Sequence, residues 1–247
     1  FFNDTATTEI YPLSLHDASS DLWRLPPSAA PVVAQAFYPF TGFRAGTSPQ
    51  DRALSLTAPG PGDRVDAALE RAAAAGWALY ELPARYAPRT DEEAVAACAE
   101  LARRLLARDA VATCERNPAG AAVTADRIAI GTAHRDQAAA IRARLGDVGI
   151  TVDTANRLQG REYDVTIVLH PLSGRRDASA FHLESGRLCV LTSRHRHACV
   201  VVARAGIADL LDDYPSSEPV HLGVPVKFPD GWEANHAMMA VLDRHRV

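Results

Sequence analysis

Residues 163–169 read YDVTIVL, and this stretch decides the fold that we predict for the chain. It is rich in β-branched residues, which favour strands. Residues 198–203 read ACVVVA, a second strand-like run with no alternation between apolar and polar side chains. Continuous apolar runs of this kind are typical of strands in parallel sheets, because helices cover both faces of such a sheet.

Helix and strand patterns alternate on either side of these two runs. The acidic residues 91–93 stand where the first turn of a long helix is expected, and Gly76 ends the helix before it. The predicted strands are 77–82, 127–132, 150–154, 163–169 and 198–203, and the predicted helices are 65–75, 91–108, 135–145, 184–194 and 206–213. This order predicts an α/β fold with a parallel sheet covered on both faces.

Further segments flank this α/β core. Residues 1–18, FFNDTATTEIYPLSLHDA, show neither helical nor strand periodicity and resemble translated sequencing-adapter read-through, so we expect them not to be native. A short helix is predicted over 29–36, and a final helix over 232–247. The predicted units are a non-native segment 1–19, an entry segment 20–64, the α/β domain 65–214 and a C-terminal tail 215–247. We therefore expect the chain to be the C-terminal piece of a longer protein.

Composition excludes several classes of protein. The 247 residues carry a formal net charge of −4, so any contact with nucleic acid must be local. No stretch approaches about 18 uninterrupted apolar residues, so we predict no membrane span. The four cysteines form no C-x-x-C pair and there is no signal peptide, which favours the cytoplasm. His195 and His197 lack a carboxylate or cysteine in metal-ligand spacing, so we predict no metal site.

Lysine usage bears on nucleotide chemistry. Of the 26 basic residues only Lys227 is a lysine, and Phe228 follows it. A phosphate-binding P-loop needs a lysine followed by Ser or Thr, because the ammonium reaches the outer phosphates and the hydroxyl holds Mg²⁺. The chain therefore has no P-loop, and any nucleotide chemistry in which it takes part must borrow that loop from elsewhere.

Four short motifs stand in order along the chain. They are LWRLPP (22–27), IAIGTAHRDQ (128–137), TVDTANRLQGREYDVTIV (151–168) and GRLCVLTSRHRH (186–197). In that order they resemble the stretch that opens the second motor domain, motif IV, motif V and motif VI of superfamily 1 helicases. The resemblance is closest to the branch with the nonsense-decay and Dna-two-type helicases. Departures from the family pattern include Ala133 for proline, Asn156 for His or Asp, Leu158 for phenylalanine and Cys189 for asparagine.

The resemblance covers residues 21–211 and implies a RecA-like domain of the P-loop NTPase type that lacks the P-loop itself. Such a domain is the C-terminal motor half of an ATP-dependent DNA or RNA helicase or translocase. In this family ATP and Mg²⁺ lie between two RecA-like domains and are held mainly by the first. The implied partners are therefore that missing first domain and single-stranded DNA or RNA, and the chain alone is expected to be inactive.

The matching motif positions imply roles for individual residues. Arg194 and Arg24 are the predicted catalytic arginines, because a guanidinium stabilises the charge that spreads over phosphoryl oxygens in the transition state. Glu162 is predicted to accept a hydrogen bond from the ribose of the nucleotide. The other predicted residues are Gly160, Gln159 and Arg196 toward the nucleotide, and Thr154, Thr132 and His134 toward the nucleic-acid backbone.

Each charged residue also has a plainer alternative. In the alternative to a catalytic role, Arg194 and Arg196 are solvated or paired with Glu184, since most surface arginines need no ligand. Glu162 and Asp164 would be charges at the entrance of a strand.

Alternatives also exist for the remaining residues and for the chain as a whole. Thr154 would serve only as a strand former, and the aromatic residues at 37, 38, 40 and 43 would pack in the core rather than stack on bases. In the alternative interpretation of the chain as a whole, it is a non-catalytic nucleic-acid-binding or regulatory module. An unrelated doubly wound small-molecule enzyme needs a Gly-rich turn after an early strand, which the sequence lacks.

Overall fold

The structure, a computed structural model, describes residues 25–39, 44–215 and 229–247. Its helices are α1 (Ala30–Phe37), α2 (Arg64–Ala75), α3 (Glu92–Ala107), α4 (Arg135–Leu145), α5 (Ala155–Leu158), α6 (Ala180–Leu183), α7 (Ser185–Thr192), α8 (Ile207–Asp213) and α9 (Gly231–Leu242). Its strands are β1 (Leu54–Leu56), β2 (Trp77–Leu82), β3 (Ala110–Cys114), β4 (Asn117–Ala122), β5 (Ile128–Thr132), β6 (Thr151–Thr154), β7 (Tyr163–Leu169) and β8 (His195–Arg204). Single 3₁₀ turns lie at Ala125–Arg127 and Asp243–His245.

In the described part of the chain, five strands form one parallel sheet in the order β2-β8-β7-β5-β6. Every residue of the central strand β7 is buried, as its β-branched sequence predicts. The predicted α/β class is therefore confirmed, and the architecture is consistent with a RecA-like domain.

The two faces of this sheet carry two apolar clusters. Val200 and Val202 of β8 belong to the first cluster, with the buried side chains of α2, α3 and α4. Cys199 and Val201, which point the other way, belong to the second cluster, with α1, α5, α7, α8 and α9. Because successive side chains of a strand alternate between faces, one continuous apolar strand supplies both layers.

A second, antiparallel sheet was not predicted. Among the described residues it consists of β1, β3 and β4, with β3 in the middle. It is attached to the parallel sheet at the start of β8, where the His197 Nε2 lies 2.7 Å from the Thr113 carbonyl oxygen.

The predicted boundary between helix 184–194 and strand 198–203 was wrong. The structure has the short helices α6 and α7, and β8 already begins at His195. His195 reads as polar in the sequence but is fully buried, with its ring 4.9 Å from that of Trp77 in an edge-on arrangement. This packing extends the strand toward its amino end.

The C-terminal helix α9 is part of the second face of the sheet. Met238 and Leu242 are fully buried there, and α9 packs against α1 and α7. The helix predicted over 232–247 ends at Leu242, and the chain then turns so that the Val247 N–H donates to the Leu79 carbonyl at 2.9 Å. None of the helices in the described ranges is both long and apolar enough to cross a membrane.

Candidate functional site

The parallel sheet separates the motif residues into two groups. Amino ends of parallel strands meet at one edge of a sheet and carboxyl ends at the other. Residues 159–162 and 194–196 lie at the amino ends of β7 and β8, where Tyr163 and His195 are register partners. Thr132 and Thr154 are register partners at the carboxyl ends of β5 and β6. At a rise of about 3.3 Å per residue, β7 alone separates the two edges by roughly 20 Å.

At the amino edge, Glu162 and Arg196 form an ion pair. The Arg196 Nε donates to Glu162 Oε2 at 2.9 Å, and their side chains are 45% and 31% exposed. Glu184, the partner considered in the sequence alternative, pairs instead with Arg187. The amino edge therefore presents an accessible carboxylate beside an accessible guanidinium.

Arg194 lies beside this pair but inside the protein. Its side chain is only 4% exposed, and its Nη2 donates to the Ser193 Oγ at 2.8 Å. Its backbone carbonyl accepts from the Tyr163 N–H at 2.9 Å, which joins the start of β8 to the start of β7. Arg194 is thus enclosed at the junction of α7 and β8, and is not a solvated surface arginine.

Gln159 and Gly160 form the turn between α5 and β7. Gly160 has φ +77°, a left-handed conformation that favours glycine, and a Cβ added there would meet no atom within 4 Å. The backbone of this turn is therefore open to the approach of another group. Gln159 is exposed next to it, directly after the last residue of α5.

Asp164 has a structural role, which is close to the alternative in which it is a charge at the entrance of a strand. It is buried at the start of β7 and forms an ion pair with Arg127. Its Oδ1 lies 3.5 Å from the His197 Nδ1. Because His197 also contacts Thr113 of β3, Asp164 helps to attach the antiparallel sheet to the amino edge.

At the carboxyl edge, an open cleft of about 530 Å³ lies between α4, α5 and α6. Thr154 and His134 line it. Its charged lining consists of Arg135, Arg142, Arg157, Arg187 and Asp153. Four arginines and one carboxylate line the cleft, and Glu184 neutralises one of these arginines, Arg187, so the local charge is +2 in a chain of net charge −4. Such a concentration of charge attracts anions.

Thr132 stands behind this cleft rather than in it. It is fully buried, and its hydroxyl donates to the His134 carbonyl at 2.9 Å. It therefore fixes the turn that presents His134.

His134 and His182 connect the loops that follow β5 and β7. Their Nε2 atoms are 3.1 Å apart, and the His182 Nδ1 is 2.7 Å from the Ser179 Oγ. Burial and the neighbouring Arg175 lower the pKa of His134 to about 4, so at neutral pH it is an uncharged hydrogen-bonding group. From β5 the chain passes to β6, which lies on one side of β5, and then returns to β7, which lies on the other side. The His134–His182 pair therefore spans the switch point of the sheet, which is where open α/β sheets bind ligands.

Residues 155–162 join the two edges. This segment leaves β6 at Thr154, crosses one face of the sheet as α5, and reaches β7 at the opposite edge. The crossing is closely packed, because a Cβ on Gly131 of β5 would lie 3.1 Å from the Leu158 Cδ1. One short segment therefore connects the cleft to the Glu162–Arg196 pair.

Several expectations concern the N-terminal part of the chain. Arg24 lies outside the described residues, as do the aromatic residues at 40 and 43. Phe37 is buried in the second cluster, so the packing alternative is confirmed for it. Conversely, the motifs did not indicate Arg135, Arg187 or Phe181 as parts of the carboxyl edge, because only the fold brings them beside Thr154.

The family comparison covers both edges. Residues 87–206, which are 120 of the 247 residues, match the model of a family described as an AAA domain. No curated protein matched the chain. The matched segment runs from the loop after β2 to the turn after β8. This part of the chain is thus similar to a helicase-associated AAA domain of the kind present in the C-terminal region of superfamily 1 helicases.

Proposed function

We propose that the chain is the C-terminal motor half of an ATP-dependent helicase or translocase that acts on DNA or RNA. The observation that carries the proposal is the division of the motif residues between the two edges of one sheet, connected by residues 155–162. A motor needs a nucleotide-responsive surface and a track-binding surface that move together. The match of residues 87–206 to an AAA domain supports the same assignment.

The residues at the amino edge fit one side of an ATP site. Glu162 offers a partly exposed carboxylate that can accept a ribose hydroxyl, and Arg196 offers an accessible guanidinium for phosphate oxygens. The open turn at Gly160 admits a nucleotide close to the backbone. Bound ATP would supply the phosphoryl group that is transferred to water, with the P-loop and Mg²⁺ ligands coming from a separate RecA-like domain.

Within this site, we propose that Arg194 stabilises the transition state of ATP hydrolysis. Its place beside Arg196, at the start of β8, lets it reach an anion at the amino edge once the side chain turns outward. A guanidinium in this role contributes about 10³- to 10⁵-fold in rate in phosphoryl-transfer enzymes. Glu162, which neutralises Arg196 in this structure, would exchange that partner for the ribose.

The carboxyl edge would hold the nucleic-acid backbone. Thr154 offers a hydroxyl in a cleft whose four arginines neutralise phosphates. His134 is uncharged at neutral pH and would hydrogen-bond to the strand without adding to its electrostatic attraction. Thr132 would act through His134 by fixing the turn.

Two experiments test the proposal. Sequencing the genomic DNA upstream of the coding region should find an in-frame P-loop and a second, acidic magnesium-binding motif. A start codon near residue 20 would instead favour the non-catalytic binding or regulatory module. In addition, the chain joined to its P-loop domain should hydrolyse ATP faster when single-stranded nucleic acid is added. ATP hydrolysis that is unaffected by nucleic acid would contradict the proposal.

A further inference from the structure

A small pocket lies at the carboxyl ends of β2, β7 and β8, apart from the cleft at Thr154. Its volume is about 230 Å³, and its large aliphatic lining residues are Leu172, Ile207 and Leu210. Pockets for whole small-molecule ligands measure about 300–1,000 Å³. Because this pocket is smaller, it fits one large side chain of a macromolecule.

Hydrogen bonds between loops fix the shape of the pocket. The Ala87 N–H donates to the Gly174 carbonyl at 2.9 Å, and the Arg175 Nη1 donates to the Pro88 carbonyl at 3.2 Å. These bonds join the loop after β2 to the loop after β7, while α8 supplies another side of the pocket. The pocket is therefore formed before a partner enters it.

The rim of the pocket is basic. Arg85 and Arg175 line it, and the Arg176 guanidinium carbon lies 4.1 Å from the ring centre of Tyr86, which also lines it. In the described ranges, Arg175 and Arg176 have no carboxylate within ion-pair distance. Arg85 is 59% exposed and comes no nearer than 3.8 Å to two carboxylates that Arg204 holds more closely. The rim therefore presents positive charge that carboxylates of a partner can neutralise.

The helix that forms one side of the pocket is acidic and is followed by an exposed ring. Asp209, Asp212 and Asp213 are exposed on α8, and Tyr214, directly after it, is 46% exposed. Within the part of the chain that the structure describes, none of these aspartates pairs with an arginine, and the Asp212 Oδ1 lies 3.6 Å from the His236 Nε2. An exposed ring alone does not indicate a partner. A ring beside carboxylates, however, is the chemical complement of an apolar pocket beside arginines.

The spacing of these two features along α8 makes the surface self-complementary. Leu210, in the pocket, and Tyr214 are four residues apart, which is about one helical turn, or 6 Å. Residues at this spacing lie on the same face of a helix. When two copies of α8 lie antiparallel across a two-fold axis midway between these residues, each Tyr214 meets the partner's Leu210. The same contact is then made twice, and the assembly closes at two copies.

We infer that two copies of this chain form a symmetric dimer in which Tyr214 of each copy enters the pocket of the other. Asp212 and Asp213 of one copy then face Arg175 and Arg176 of the other copy. The inference goes beyond the proposed function and does not depend on it, because the motif residues of both sheet edges stay outside the contact. Each copy contributes one helix and two loops, which is a small interface, so the dimer should dissociate on dilution.

The oligomeric state in solution tests this inference. Sedimentation velocity of the wild-type chain from about 1 to 100 µM should show a shift from monomer to dimer, and added salt should weaken the association because it screens exposed ion pairs. Tyr214→Ala should raise the dissociation constant by about 10-fold or more, since it removes the ring that fills the pocket. Phe181→Ala is the matched control: Phe181 is 44% exposed but lines the other cleft, so its removal should leave the dimer unchanged.

A charge exchange tests whether the two patches meet each other. One variant carries Asp212→Arg and Asp213→Arg, and the other carries Arg175→Glu and Arg176→Glu. Each variant alone should be monomeric, because like charges face each other in both of its contacts. An equimolar mixture should form a heterodimer, because both of its contacts then join opposite charges. Thermal unfolding of each variant shows whether the fold is intact.

The outcomes separate this inference from the proposed function. A wild-type chain that stays monomeric at every concentration would overturn the inference and assign the pocket to another occupant, such as an acidic segment of a different protein. A dimer that Tyr214→Ala leaves unchanged would overturn it too, because the contact would then lie elsewhere. Folded charge variants that fail to associate when mixed would show that the two patches do not meet. None of these results bears on ATP hydrolysis or on nucleic-acid binding, so the proposed function would stand.

Discussion

Arg204 offers a prediction about how the carboxyl edge is held in place. It is the last residue of β8 and is almost completely buried. Its Nε and Nη2 donate to the two carboxylate oxygens of Asp91 at 2.6 and 2.8 Å, and its Nη2 also donates to the Glu93 Oε2 at 2.7 Å. We predict that Arg204→Met destabilises the protein far more than the loss of a surface ion pair does.

The expected magnitude follows from these contacts. Removing one partner of a buried ion pair costs about 3–5 kcal/mol, because the other charge stays buried without compensation. Arg85 remains 3.9 Å from Asp91 and relieves part of that penalty, so we expect a loss of about 3 kcal/mol in the free energy of unfolding. Against a typical total of about 5–15 kcal/mol, this is a large fraction.

The dependence on pH is the more specific part of the prediction. Burial alone would raise the pKa of Asp91, but the hydrogen bonds from Arg204 and from the Ala94 N–H outweigh it and lower the pKa. The pair therefore stabilises the wild type above the ordinary carboxyl pKa, and that contribution is lost as the pH falls through the lowered value. In Arg204→Met burial prevails and the pKa of Asp91 rises, so protonation relieves the variant. The difference between the two proteins should shrink from pH 7 to pH 4.

Urea unfolding followed by circular dichroism at both pH values measures these differences. The double variant Arg204→Met with Asp91→Asn should recover at least half of the loss, since asparagine also caps α3 without a charge. Arg246→Met is the matched control. Arg246 also has two carboxylate partners, but it is half-exposed, so its removal should cost no more than about 1 kcal/mol. Equal losses in Arg204→Met and Arg246→Met, or a loss independent of pH, would refute the reasoning.

Four further predictions concern the missing P-loop, two motif residues and a buried histidine. The purified chain should show no ATP hydrolysis because it has no P-loop. In a protein that joins the chain to the proposed P-loop domain, Arg194→Ala should lower kcat by about 10³-fold or more and weaken nucleotide binding much less, as steady-state kinetics and nucleotide titration can measure. Thr154→Ala should cost at most about 1 kcal/mol of stability yet remove the stimulation of hydrolysis by single strands; equal stimulation in both proteins would leave Thr154 a structural residue. Burial lowers the pKa of His170 to about 4, so its neutral state stabilises the fold above about pH 6.5, and stability falls toward pH 4 as the unfolded chain takes up the proton first. In urea titrations at pH 7 and 5, His170→Asn should therefore lose less stability on acidification than the wild type.

The parts of the fold that could be predicted are those whose sequence pattern depends on local burial. The strands Trp77–Leu82 and Tyr163–Leu169 and the helix Arg135–Leu145 have the predicted boundaries. The two strands are mostly apolar, and the apolar residues of the helix recur at helical spacing, so that only their burial by neighbouring elements was needed to form them.

The antiparallel sheet could not be predicted in the same way. Its strand Asn117–Ala122, NPAGAA, consists mostly of small residues and a proline, which do not favour strands. Its central strand pairs with Leu54–Leu56, more than 50 residues away in sequence. A pairing at that separation depends on the tertiary fold rather than on either segment.

The site residues were predicted from motif spacing, but their environments were not. The pairing of Glu162 with Arg196 joins positions 34 residues apart, and the burial of Arg194 follows from the unexpected early start of β8. Motif spacing indicates which residues share an edge. Only the packing of α7 and β8 decides which of them faces solvent.

The enclosed position of Arg194 is compatible with the role proposed for it. Moving the guanidinium toward a phosphate breaks its hydrogen bond to the Ser193 Oγ, and a bond to a neutral group contributes about 0.5–1.5 kcal/mol. Even two such losses, about 1–3 kcal/mol together, are smaller than the about 4–7 kcal/mol that corresponds to a 10³- to 10⁵-fold rate effect. The Arg194 carbonyl, moreover, holds the first residue of β7, next to Glu162. A movement of Arg194 would therefore displace the end of residues 155–162, the segment that leads to the cleft at the carboxyl edge.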